Sequence, residues 1–462
     1  MRPAATAAAL VTAAAASCCL AAGADDGALY LTPMIRDGRV DEARTACDVR
    51  LANATAVSSC AGYLTVDDQH GSNLFFWFFP AANRRTDAPV LLWLQGGPGA
   101  PTLYSVFNEH GPFSVNESHG LEPRRHAWTA THSVLYVDNP VGAGYSFTNH
   151  DAGYSVNQMA VGLNLYTALV QFFTLFPEYR GNEFYVAGES YAGKYVPAVS
   201  YAIHTNNPGA DVKINFKGLA IGNGLIDPAN QMVYSEFLFQ HGLIDENGKR
   251  HFEEQERLVR ERIANGDFKA AYYAMAEMMI TVPSLFSELT GMRNIYNVVW
   301  NENPIPFEGG NWDRFVQENA TRAALHVGKR SWSMVDMVYE RLKYDIPRSV
   351  SPWLATLLDA GQYRVLLYSG QLDVIVPYRG TVNVARSLQW SGAEQFRNAT
   401  RTIWRVPVPD GRENVTNVAG FATAHGPLTV VLIRNAGHMV PYDQPAWAFD
   451  LITRFTSGKP FK

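Results

Sequence analysis

The spacing of apolar positions changes period several times along this chain, and each change marks an expected element. Residues 61–66 and 73–79 read as two strands. They are joined by Asp67-Asp68-Gln69-His70-Gly71, a turn-rich link, which predicts an antiparallel hairpin. Residues 90–95 and 133–137 are apolar runs without alternation, the pattern of strands covered on both faces. Ser155 is the expected N-cap of a long helix. Met159, Leu163, Tyr166, Leu169, Val170 and Phe173 follow at three- and four-residue steps, so one face is expected to be buried, and Pro177 ends the run. Residues 184–187 predict another buried strand, followed by a helix to about residue 206 and a strand over 213–221. Strands are expected again at 364–368 and 429–434, and an amphipathic helix at 444–456, stopped by Gly458.

Between about residues 227 and 350 the strand pattern gives way to charged helical segments such as 246–263 and 312–326. This predicts a helical cap at 228–350, inserted between a first core segment, 25–227, and a second, 351–462. Residues 25–60 are polar and irregular, an arm expected to pack on the surface. Strands alternating with helices on either side of the cap imply an α/β fold. Its central sheet would be mostly parallel, with functional groups on loops at the strands' carboxyl ends.

Composition narrows the class. The 462 residues are 47% hydrophobic and 18% charged with a net charge of −5, which suits a large globular enzyme. No basic run suggests nucleic acid. Residues 1–24 read as a signal peptide: Arg2, an alanine-rich apolar stretch, then Ala22-Gly23-Ala24 as a cleavage site. No later stretch reaches about 18 consecutive apolar residues, so no membrane span is expected. Of four cysteines, Cys18 and Cys19 leave with the signal peptide. Cys47 and Cys60 remain as an even pair expected to bridge in an oxidising compartment. Sequons at Asn53, Asn116, Asn319, Asn398 and Asn414 suggest glycosylated surface loops. An extracellular or lysosomal destination follows from the same features.

The candidate chemistry begins at Gly188-Glu189-Ser190-Tyr191-Ala192-Gly193, directly after the strand at 184–187. A serine between small residues on a strand-to-helix turn is a nucleophile elbow, which pushes its hydroxyl out beyond the sheet. Ala192 holds the place where the usual pattern has glycine. Asp373 follows the strand at 364–368, and His438 follows the strand at 429–434. The order Ser, Asp, His is that of an α/β-hydrolase triad, with Ser190 as nucleophile, His438 as base and Asp373 as its orienter. The loop Gly96-Gly97-Pro98-Gly99 can turn a backbone N–H toward a reacting carbonyl. Gly97 and Tyr191, the residue after the nucleophile, are the expected oxyanion donors.

These segments resemble the serine carboxypeptidases, most closely the vitellogenic carboxypeptidase-like branch. The resemblance is carried by Trp93-Leu94-Gln95-Gly96-Gly97-Pro98-Gly99, Asn108-Glu109-His110-Gly111-Pro112, Asp138-Asn139-Pro140-Val141-Gly142-Ala143-Gly144-Tyr145-Ser146, Gly188 to Pro197, Ile221-Gly222-Asn223-Gly224 and Gly437 to Pro445. It implies an α/β-hydrolase fold and release of single residues from the C-termini of peptides or proteins, without metal or organic cofactor. It implies further that Gln95, the Gly96 N–H, Glu109 and Glu189 read the substrate's terminal carboxylate. Two adjacent carboxyls cannot both ionise cheaply, so one keeps a proton and can donate to that carboxylate. Activity is therefore expected to be best at acid pH. The family commonly has Asn where Gln95 stands, and a small residue and two serines where this chain has Ala100-Pro101-Thr102.

Two other classes fit parts of the pattern. An acyltransferase would pass the same acyl group to an alcohol or amine acceptor, which product analysis distinguishes. A catalytically silent binding protein of this fold usually lacks a triad member, and this chain has all three.

Overall fold

Twelve strands form among the described residues 26–51, 54, 56–407 and 416–462 of the computed structural model. They are β1 (Cys60–Asp67), β2 (Ser72–Phe79), β3 (Val90–Leu94), β4 (Phe113–Val115), β5 (Leu121–Pro123), β6 (Ser133–Val137), β7 (Phe184–Glu189), β8 (Phe216–Gly222), β9 (Arg364–Gly370), β10 (Thr402–Pro407), β11 (Thr416–His425) and β12 (Leu428–Ile433). β4 and β5 make a small separate hairpin. The other ten form one sheet in the order β1-β2-β6-β3-β7-β8-β9-β12-β11-β10. The six central strands, β6 to β12 in that order, are parallel. The flanking pairs are antiparallel.

Successive side chains of a strand point to opposite faces. In β3, Val90, Leu92 and Leu94 join one buried cluster, while Leu91 and Trp93 join the other. Both clusters are closed over by helices or loops, which explains why the sequence shows no alternation there. Helices Gln158–Leu175 and Ala192–Asn206 cover the first face, Pro445–Thr456 the second. From residue 228 to 350 every element among the described residues is a helix. Part of this stretch has a core of its own, including Met232, Leu238, Phe252 and Phe286, which takes in Val374 of the loop after β9.

Several expectations are corrected. The arm at 25–60 contains two short helices, Leu31–Arg36 and Val40–Ala46, whose Leu31 and Ala43 are buried; six or seven residues are too few to show a helical period. The N-cap of the long helix is Asn157, whose side chain accepts from Ala160 N at 3.0 Å; Ser155 lies before it. Its buried face runs through Val161, Leu165, Leu169 and Phe172, and Met159 and Leu163 are exposed. A helix apolar nearly all round leaves the facing ambiguous by one position. The strand expected at 213–221 starts at Phe216. The helix expected at 312–326 is two helices, Asn311–Gln317 and Asn319–Ala324, separated by extended Glu318.

Cys47 and Cys60 form a disulfide. It ties the end of the second short helix to the start of edge strand β1. Replacing both cysteines with alanine should cost about 3 kcal/mol by releasing the closed loop in the unfolded chain, read as a lower urea midpoint. Asn319 and Asn398 are exposed. The Asn116 amide donates to Glu122 and accepts from Ser118 N and Gly120 N. Asn53, Asn414 and residues 1–24 lie outside the described residues. No helix among the described residues is long and apolar enough to cross a membrane.

Candidate active site

β7, β8, β9 and β12 lie side by side, and Ser190, Asn223, Asp373 and His438 follow their carboxyl ends in turn. Ser190 sits at φ 64°, a left-handed conformation that costs about 1–3 kcal/mol for a residue with a Cβ. Three backbone bonds hold it there: Ser190 N donates to Gly222 O at 3.0 Å, and Ser190 O accepts from Gly193 N at 2.9 Å and Leu225 N at 3.0 Å. The turn also demands small neighbours. A Cβ at Gly96 would stand 2.6 Å from Ser190 Cβ and 2.7 Å from Tyr191 N, so the Gly96-Gly97 loop and the elbow can touch only because residue 96 is glycine. At Gly188 a Cβ would meet Ala192 Cβ at 2.8 Å. With no side chain at 188, an alanine fits where the usual motif has its last glycine.

His438 is buried. Its Nδ1 donates to Asp373 Oδ2 at 2.9 Å, and its Nε2 has no hydrogen-bond partner among the described residues. The loop carrying it is clamped from the helical region. His438 N donates to Tyr296 O at 2.7 Å, and the two rings lie 5.3 Å apart. Asp443 Oδ2 accepts from Gly437 N at 2.6 Å and from Asn297 Nδ2 at 3.0 Å. Asp373, fully buried, accepts four bonds. Oδ2 takes His438 Nδ1 and Asn223 Nδ2 (2.6 Å); Oδ1 takes the N–H groups of Ile375 (3.0 Å) and Val376 (3.2 Å). An imidazole whose Nδ1 proton is held in this way can accept a proton at Nε2.

The acids adjoin the elbow, since Glu189 directly precedes Ser190. Glu109 caps the end of helix Leu103–Asn108, and Glu189 is the last residue of β7; both are buried. Gln95 Nε2 donates to Glu109 Oε1 at 2.9 Å and to Glu189 Oε1 at 3.3 Å, while Gln95 Oε1 accepts from Gly96 N at 2.8 Å. Oε2 of each acid is buried without a hydrogen-bond partner among the described residues, and two carboxyls that share one amide donor cannot both ionise cheaply, so the couple tends to keep a proton. Burial raises both pKa values, and the charge of Glu109 raises that of Glu189 further.

Two residues quoted from the sequence were given no supporting role there. Thr102, buried, donates to Val137 O at 2.6 Å and accepts from Gln95 N at 3.5 Å. Its own N donates to Asp138 Oδ1 at 2.8 Å. The departure at Ala100-Pro101-Thr102 thus supplies bonds that brace Gln95 and the glycine loop. Asn223 is the second; its signal was an amide at the end of the strand between those of the serine and the aspartate. Ser190, Gly97 and Tyr191 border a common cavity of about 100 Å³. No cluster of three or more His, Cys, Asp or Glu side chains among the described residues could hold a metal ion.

A mostly parallel sheet with helices on both faces, a serine on a strained elbow and a buried His–Asp pair after later strands define an α/β-hydrolase. The family follows from the comparisons: residues 51–458 match the serine carboxypeptidase family, and the chain belongs to it. It is 46% identical to the venom serine carboxypeptidase of Apis mellifera, over 94% of this chain and 91% of that protein. It is 42% identical to the vitellogenic carboxypeptidase of Aedes aegypti (93% and 89%) and to the probable serine carboxypeptidase CPVL of Homo sapiens (93% and 90%). In fold it resembles Kex1(delta)p, a prohormone-processing carboxypeptidase of Saccharomyces cerevisiae, at a TM-score of 0.77, 22% identity and coverage of 90% and 96%. The protein is a serine-type carboxypeptidase, a hydrolase that acts on peptides.

Proposed function

We propose that Ser190, His438 and Asp373 carry out the acyl-enzyme chemistry, and that Gln95, the Gly96 N–H, Glu109 and Glu189 hold the substrate's terminal carboxylate. Ser190 Oγ bonds to the last peptide carbonyl carbon as its proton passes to His438 Nε2. Asp373 stabilises the imidazolium. The N–H groups of Gly97 and Tyr191 receive the oxyanion. The intermediate collapses by breaking the C–N bond, and the Nε2 proton goes to the leaving amine. Water then attacks the ester by the same steps in reverse.

The observation that carries the reading is the buried Glu109–Glu189 couple, bridged by Gln95 and joined to the elbow at Glu189. A neutral-plus-charged acid pair is a donor for a carboxylate, and a general esterase has no use for one. The Gly96 N–H, now bonded to Gln95 Oε1, becomes available when the Gln95 amide turns to the substrate. A blocked dipeptide with a free C-terminus should be cleaved and its C-terminal amide resist. Equal cleavage of the two would overturn the exopeptidase assignment.

The cavity beside Ser190 lies away from the acids: none of Gln95, Glu109, Glu189 or His438 lines it. Its walls include Leu225, Tyr234, Tyr272, Met279, Tyr339 and Ile375, with no carboxylate or cation. We assign it to the penultimate side chain. Replacing penultimate Ala by Phe or Leu should raise kcat/KM by about tenfold or more, since burying a large apolar side chain is worth roughly 1.5–3 kcal/mol. A penultimate Asp or Lys should lower it. Helices of 228–350 supply much of that wall, which supports treating 228–350 as a cap between core segments 25–227 and 351–462. The disulfide and the protonated acid pair favour work in an oxidising, acidic setting, outside the cell or in the lysosome.

A further inference from the structure

Asn223 stands at φ 45°, in the left-handed region, with its side chain fully buried between β8 and the loop after β9. That conformation is readily taken by Gly, Asn and Asp and strained for most others. The hydrogen bonds decide among these three. Asn223 N donates to Tyr368 O at 2.8 Å, and Asn223 Oδ1 accepts from Gly370 N at 3.3 Å. With the amide oxygen committed to an N–H, the amide nitrogen must face Asp373, where it donates to Oδ2 at 2.6 Å. Glycine would offer no donor. Aspartate would set a carboxylate against a carboxylate.

We propose that Asn223 is the positioning residue of the aspartate: by donating to the same Asp373 oxygen that receives His438 Nδ1, it fixes the carboxylate plane and so the direction of His438 Nε2. This rests on the triad assigned above. Oδ1 is already held by two backbone N–H groups, so Asn223 is the side-chain donor that completes the shell of Oδ2. Removing it frees the carboxylate to rotate about its two backbone anchors, the N–H groups of Ile375 and Val376. The imidazole follows, and a misdirected base lowers the rate of proton transfer while the hydrogen bonds from Gln95 to the carboxylate-binding acids stay as they are.

The test is steady-state kinetics of the full-length enzyme and its N223A, N223D and D373A variants on one blocked dipeptide, from about pH 4.5 to 7.5, each checked for cooperative thermal unfolding. For N223A, kcat should fall about 10²-fold, the scale of a small misplacement of a reacting group, with KM within about twofold of wild type. N223D carries the pH signature. At acid pH one carboxyl of the 223–373 pair keeps its proton and can donate, so the ratio of its kcat to that of wild type should rise as pH falls. Asp373 also interacts with His438, Glu189, Asp443, Tyr234 and Tyr296. Those groups are present in both proteins, so taking the ratio removes their common contribution. An N223A enzyme with wild-type kcat beside a crippled D373A, a loss confined to KM, or an N223D ratio flat across the range would each overturn the proposal. A fully active D373A would instead overturn the triad assignment itself, and this proposal with it. Should N223A fail to unfold cooperatively, the N223D ratio alone decides.

Discussion

Ser190→Ala should lower kcat by roughly 10⁶-fold while KM stays close to that of the unaltered enzyme, because the nucleophile contributes to the transition state and little to binding. The substitution removes one oxygen and keeps the Cβ, so the strain at φ 64° and the three backbone bonds that hold the elbow are unchanged. His438 Nε2 has no hydrogen-bond partner among the described residues, so the substitution breaks no bond of that ring. His438→Ala should be about as damaging, and the double variant hardly worse than either single one, since the residues act as a unit. Single-turnover measurement of amino-acid release checks both. A Ser190→Ala enzyme within tenfold of normal would remove the serine from the mechanism.

Raising the pH should raise KM by about tenfold or more between pH 5 and 8, with a smaller change in kcat, because the couple proposed to grip the substrate loses its proton. The sign follows from the shifts. Glu109 is pushed up to about 7 by burial, and Glu189 is raised by burial and by Glu109. While the couple keeps a proton it can donate to the incoming carboxylate; once that proton is lost, two anions repel a third. Glu109→Gln, which donates at any pH, should flatten the KM profile even if it weakens binding overall. Stability moves the same way. A carboxyl raised in the folded state stabilises it fully below the unfolded value, near 4.3 for Glu, and that contribution is lost as pH rises through the folded value. Asp138, buried and also raised to about 7, adds in the same direction. Melting temperature should therefore fall from pH 5 to 8, and a KM independent of pH would dispose of the shared proton.

The sequence made the parallel centre of the sheet visible because strands covered on both faces leave unbroken apolar runs, as at Leu91-Leu92-Trp93 and Leu366-Leu367-Tyr368. The edges were harder. β10 and β11 went unforeseen: in β10 Trp404 and Val406 are buried while Thr402, Ile403 and Arg405 are exposed, so an exposed isoleucine blurs the alternation. The candidate site was legible as residue types at strand ends, and the structure pairs two of the three candidates, Asp373 and His438, by a hydrogen bond. Supporting contacts were not legible, because they join residues far apart in the chain. Nothing near Asn297 announces that its amide meets Asp443, 146 positions on. Thr102 looked like a departure, and only the fold shows its hydroxyl between β6 and the backbone of Gln95.

β12 pairs with β9 from Leu428–Val365 to Ile433–Gly370, and the loop after it delivers His438. If the proposed triad does the chemistry, a chain made only as far as residue 427 carries Ser190, Asp373 and the acid couple but lacks His438. On that assignment peptide cutting awaits the pairing of β12 with β9, and a chain clipped before that strand should be inactive.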